Sequence, residues 1–242
     1  MRTLTVSLLL FLTAISAAIP AWAGPYDDAL AAYRSGDWDK AFQLLKPLAA
    51  LDNAQSAVAQ ERLASLYERG KGTPKDPAAA AKWYAKAAGQ GDMLAQAHLG
   101  RLYRLGSGVP RDAALAAKWS IKAATQGNAL AQASLGHMAL AGFGLPADPA
   151  AAAGWFKKAA DQGDADAMLG LAMLCEAGKG VPRDVVQAGK WYVLASVDDG
   201  EHGEEVFAQA KRGKQALAAK MTPTQIIQAD KLAADWKPAA KR

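Results

Sequence analysis

Cysteine is nearly missing from this chain. Cys175 is the only one, which excludes an intrachain disulfide and every motif built on paired cysteines. Histidine is almost as scarce: His98, His137 and His202 show no His-Glu-x-x-His spacing, so no metal site is expected and no cofactor is implied. Neither Ser-x-x-Lys nor Gly-x-Ser-x-Gly occurs, which removes the commonest nucleophile motifs. No dense basic block with interleaved aromatics is present, so nucleic acid is not an expected partner. Beyond residue 23, no apolar run approaches the roughly 20 residues needed to cross a bilayer, and the mature chain is expected to carry no membrane span.

The one long apolar stretch is at the start. Arg2 precedes a run from Leu4 to Ile19, then Pro20 and the small-x-small triplet Ala21-Trp22-Ala23. That order is the pattern of a secretory leader, with cleavage expected between Ala23 and Gly24. Residues 1–23 are therefore assigned to a signal peptide and the mature product to the periplasm or the outside of the cell. With glycine at position 24, a lipid-bearing N-terminal cysteine is excluded. The net charge of +5 is concentrated towards residues 201–242 and allows a weak contact with an anionic envelope surface.

What is abundant is repetition. Trp83, Trp119, Trp155 and Trp191 are each 36 residues apart, as are Gly70, Gly106, Gly142 and Gly178, Gly72, Gly108, Gly144 and Gly180, and Asp76, Asp112, Asp148 and Asp184. A fixed period of this length marks stacked structural units. In the unit 92–128, Ala95, Leu99, Leu102 and Tyr103 fall on one face of a first helix that Gly106 ends. Asp112 can cap a second helix carrying Ala116, Trp119, Ala123 and Ala124, which Gly127 stops. Each tryptophan is expected to fill the gap beside the paired alanines. Cys175, on the same apolar stripe, reads as a buried small hydrophobe. The glycine loops lack the strand and the lysine-hydroxyl signature of a phosphate cradle and read as turns. The expected organisation is a capping hairpin at 24–56, closed by Asp52-Asn53, then four repeats at 57–200. Capping helices near 204–220 and 222–236 and a basic tail complete 201–242. Thr222-Pro223-x-Gln225 reads as a capping box.

The unit Leu99-Gly100-x-x-Tyr103-x-x-Gly106-x-Gly108-Val109-x-x-Asp112, continued by Ala116-x-x-Trp119 and Lys122-Ala123-Ala124-x-x-Gly127, resembles the Sel1-like repeat, a relative of the tetratricopeptide repeat. The resemblance covers residues 57–200 and extends more weakly over the flanks. Gly154 departs from Lys82, Lys118 and Lys190, and Asp199 from the helix-ending glycine. The resemblance implies an all-α solenoid, a right-handed superhelix of helical hairpins acting as an adaptor in protein–protein interaction, with first helices lining the concave side. Some secreted relatives are disulfide-rich and linked to β-lactam binding, a cysteine framework this chain does not share.

These readings converge on a non-enzymatic scaffold that binds a protein partner. A polysaccharide-binding or secretion accessory role in the envelope is the alternative, and β-lactam hydrolysis a remote one. At ~100° per residue, Arg101 and Arg104 project away from the Leu99–Leu102 stripe. Their register partners are Ser65 and Glu68 before and His137 and Leu140 after. Arg101, Arg104 and His137 are therefore the candidate partner-binding residues, in a shallow groove with a basic centre suited to an acidic or extended segment.

Overall fold

The computed structural model describes residues 23–51, 56–197 and 204–239. Residues 1–22 of the leader, Asp52-Asn53, Asp199, His202, Lys241 and Arg242 lie outside them. Every regular element among the described residues is helical. A short hairpin of α1 (Ala23–Ser35) and α2 (Trp38–Ala49) leads into four repeats: α3 (Ser56–Arg69) with α4 (Pro77–Gly89), α5 (Met93–Leu105) with α6 (Ala113–Thr125), α7 (Ala129–Ala141) with α8 (Pro149–Ala160), and α9 (Ala165–Ala177) with α10 (Val185–Ala195). Two further helices, α11 (Glu204–Ala218) and α12 (Pro223–Ala234), close the stack. The protein is an all-α solenoid.

Local chemistry sets the boundaries. Asp92, Asn128 and Asp164 cap first helices, and Asp76, Asp112, Asp148 and Asp184 cap second helices, each side chain accepting from a backbone N–H two or three residues on. Thr222 and Gln225 form the reciprocal capping box. The loop within each hairpin is pinned to its own first helix, because the N–H of Asp76, Asp112, Asp148 and Asp184 donates to the carbonyl of Tyr67, Tyr103, Ala139 and Cys175, at 2.9–3.0 Å.

Each second helix packs on the first helix of its own repeat and of the next. Successive first helices also touch, α5 with α7, α7 with α9 and α9 with α11. Second helices in the repeats pack on first helices rather than on one another, so the stack bends with its first helices inside. The end of the array departs from this rule: α12 packs on α10 instead of on α11. Gly189 makes this possible, since a Cβ there would stand 2.9 Å from the Ala229 methyl. The chain then runs back to donate from Ala239 N to the Asp161 carbonyl at 2.6 Å.

The tryptophans pack against the clusters that hold the paired alanines, but three of the four do so only partly buried. The residue one step further on is the buried one: Tyr84 and Phe156 are 0% exposed, Ser120 1% and Tyr192 4%. That step of ~100° turns the side chain inward between first helices. Trp83, Trp119 and Trp155 are half-buried and only Trp191 is buried. Each ring carries a lysine ammonium: Lys86 over Trp83 at 4.5 Å, Lys122 over Trp119 at 4.8 Å, Lys158 over Trp155 at 4.3 Å and Lys190 over Trp191 at 4.0 Å. Cys175 is buried, as its place on the apolar stripe requires, and burial pushes its thiol pKa up.

A second periodic device escaped the sequence reading. Gln60, Gln96 and Gln132 are buried, and their Nε2 atoms donate to the last-turn carbonyls of the preceding second helix: Ala49 at 3.0 Å, Ala88 at 3.2 Å and Ala124 at 3.2 Å. Their Oε1 atoms accept from Gln90, Gln126 and Gln162, each at 2.8 Å. Each buried amide thereby ties the end of one second helix to the next first helix, a series that Met168 ends.

Candidate partner-binding groove

The inner face is made by the outward side of α3, α5, α7 and α9. All three residues singled out in the sequence come together there, with Arg101, Arg104 and His137 lining one notch between α5 and α7. Ala97, Leu130, Ala133, Ser134 and Asp166 complete its wall, and its volume is about 50 Å³.

The three cations are not equivalent. Arg101 reaches back one repeat and pairs with the Glu68 carboxylate. Glu68 also accepts from the Tyr84 hydroxyl at 3.0 Å, and the Tyr84 ring stacks on His98 at 4.8 Å. The His137 ring lies 2.7 Å from Asp166, Nε2 to Oδ2, and meets Phe156 edge-on at 4.9 Å. Arg104 is half-buried and its side chain has no hydrogen bond or ion pair among the described residues; its Nε is buried without an acceptor. Burial, then the neighbouring Arg101, pulls its pKa below the usual guanidinium value, while Asp166 acts in the opposite direction. The basic centre expected from the sequence is thus a single guanidinium without an ion pair, set beside the Asp166 carboxylate on the same wall.

On the far side of His137 the surface turns apolar. A pocket of about 400 Å³ opens between α7, α9 and α11, lined chiefly by Leu140, Phe156, Leu169, Met173 and Leu174. Met173 is 48% exposed and Leu130, in the neighbouring notch, 45%. Sequence reasoning missed Ser134, Asp166 and this pocket. One signal was present: Met173 stands two periods after Arg101, in the same register.

A stack of two-helix units with an open inner face belongs to the class of α-hairpin solenoids. The Sel1 repeat model matches residues 57–92, 94–128, 129–164 and 165–196, more than half of the sequence, and the chain belongs to the Sel1 repeat family. Sel1 and tetratricopeptide repeat proteins generally mediate protein–protein interaction. Among solved structures, the chain is similar to a protective antigen present in uropathogenic Escherichia coli strains that displays an SLR fold. Identity is 31% with a TM-score of 0.72, over 86% of this chain and 45% of that one, so this chain spans less than half of that relative. It is also similar to a Sel1 repeat protein from Oxalobacter formigenes, with 26% identity and a TM-score of 0.70, over 87% of this chain and 82% of that one. No curated protein matches it in sequence. Among the described residues, no helix is long and apolar enough to cross a membrane, and no group of three or more His, Cys, Asp or Glu side chains could hold a metal ion.

Proposed function

We propose that this protein is exported from the cytoplasm and acts in the periplasm or outside the cell as a non-catalytic scaffold, holding a protein partner along the inner face of its first helices. The observation that carries this reading is the composition of that face. Exposed apolar side chains such as Leu130 and Met173 stand beside an Arg104 that makes no ion pair, in a row of open recesses rather than an enclosed pocket. Such a surface suits a polypeptide laid across several helices. Export is supported by the leader pattern of residues 1–23.

Crosslinking with mass spectrometry on the tagged protein in cells tests the scaffold reading. Crosslinks from one specific polypeptide should map to α5, α7 and α9; crosslinks confined to the second helices would overturn it. N-terminal sequencing of the fractionated product should begin at Gly24, and an intact Met1 in the cytoplasmic fraction would overturn export.

A second reading, attachment to an anionic envelope polysaccharide, draws on the outer row of half-buried tryptophans with their lysines. Each ring already carries its own ammonium, which leaves little free aromatic face for a sugar. Retention on an acidic glycan column without any polypeptide partner would favour it.

A further inference from the structure

The bond from Tyr84 to Glu68 recurs three repeats later, where the Tyr192 hydroxyl donates to Glu176 at 3.0 Å. The two middle repeats break this pairing in different ways. One puts Arg104 and Ser120 in those registers, and the other Leu140 and Phe156. In the first, the glutamate becomes a cation and the ring disappears, and a notch opens between α5 and α7. In the second, both groups are apolar, and both line the large pocket beside α9. The two openings share His137 and Asp166 as a common wall.

We propose that these openings form one bipartite site for an extended polypeptide segment, with an Asp or Glu side chain in the Arg104 notch and an apolar side chain in the pocket beside Leu140 and Met173. The proposal deepens the scaffold reading and rests on the inner face being the binding face.

Charge complementarity decides the first half. Arg101 is paired with Glu68 and Asp166 is engaged with His137, so Arg104 is the cation of the notch that makes no ion pair of its own. A half-buried guanidinium whose Nε has no acceptor is a costly arrangement that an incoming carboxylate relieves. The buried Ser134 Oγ, also without a partner, adds a second unsatisfied group on the same wall. For the second half, Leu140, Leu169 and Leu174 give the pocket an apolar floor, Lys179 and Gln209 border it, and Met173 stands half in solvent at its edge. The openings flank α7, so their centres are about one inter-helix spacing apart, roughly 8–10 Å. An extended chain covers that distance in about three residues at ~3.3 Å each.

Fluorescence anisotropy on the purified protein tests this, using labelled nonapeptides of Gly, Ser and Thr that carry one Glu and one Leu at separations of one to five. Affinity should peak near a separation of three. Replacing the peptide Glu by Gln, or its Leu by Ala, should each weaken binding at least tenfold. Arg104→Gln should abolish the preference for Glu over Gln while keeping that for Leu, Met173→Glu should do the reverse, and Arg104→Lys should retain part of the Glu preference; circular dichroism confirms that each variant is folded. Equal affinity for Glu and Gln peptides, no effect of Arg104→Gln, or no peptide binding at all would overturn the site. If a native partner still crosslinked to α5, α7 and α9 in that case, the scaffold reading would stand without it.

Discussion

Gly108 lies against the carbonyl of Pro77 in the preceding repeat, so close that a Cβ at Gly108 would stand 2.0 Å from that oxygen. The contact recurs at Gly72 with Trp38, Gly144 with Ala113 and Gly180 with Pro149. Each hairpin loop is thereby seated on the first turn of the previous second helix, and glycine is needed there both for space and for a φ near +70°.

Gly108→Ala should therefore destabilise the protein by about 3 kcal/mol, combining left-handed backbone cost with overpacking. Gly154→Ala should do the opposite, because a Cβ there meets nothing within 4 Å and the residue is mid-helix; a gain of roughly 0.5–1 kcal/mol is expected. Urea unfolding of both variants checks the pair, and a loss at Gly154 or none at Gly108 would contradict the packing described.

Neighbours on α8 separate the buried ring from the conspicuous one. Phe156→Ala should cost ~3–5 kcal/mol, since the ring is wholly buried against Gly136 and Gly170. Trp155→Ala should cost about 1–2 kcal/mol, for a half-buried ring and one cation–π contact. Thermal denaturation ranks them, and a larger loss at Trp155 would restore the role expected from its periodicity.

The glutamine junctions predict a coupling. Gln96→Leu should cost on the order of 1 kcal/mol, because it removes one hydrogen bond to the Ala88 carbonyl and one from Gln126, each of which keeps a second partner at Gly91. A double-mutant cycle with Gln126→Ala should return roughly 0.5–1.5 kcal/mol of interaction energy. Strict additivity would show that the pair contributes nothing.

Buried Glu61 and half-buried His98 oppose one another in their response to pH. Burial pushes the Glu61 carboxyl up from 4.5 to about 7, with Arg62 acting in the other direction. Burial pulls His98 down from 6.5 to about 4, with Glu68 acting in the other direction. Glu61 binds its proton more tightly in the folded state, so its contribution is full below about pH 4.5 and is lost as pH rises through about 7. The His98 contribution is full above about pH 6.5 and is lost as pH falls through about 4. Between pH 4.5 and 6.5 the two slopes cancel. Glu61→Gln leaves His98 unopposed, so the stability of that variant should rise with pH across this window by up to ~1.4 kcal/mol per unit. Urea midpoints at pH 4.5, 5.5 and 6.5 check it, and curves parallel to the parent would refute the pairing.

How much could be read in advance differs from residue to residue. Gly106, Asp112 and Asp92 act on their own backbone neighbours, and their caps fall where the sequence puts them. Gln96 was equally periodic, but its partners lie 8 and 30 residues away, and nothing in its local pattern separates a junction amide from a surface one. Arg104 was chosen for its helical angle alone. That it makes no ion pair while Arg101 has Glu68 depends on which side chains cross the repeat boundary.

The sequence by itself determined the hairpins, their caps, their period and the solenoid class, because each follows from backbone preferences and apolar spacing within some forty residues. Only the tertiary structure decided that the residue after each tryptophan fills the core, that α12 turns back onto α10, and that a lone guanidinium adjoins an apolar pocket on the inner face. Those outcomes are set by contacts between units, where side chains one or more periods apart compete for the same space and charge.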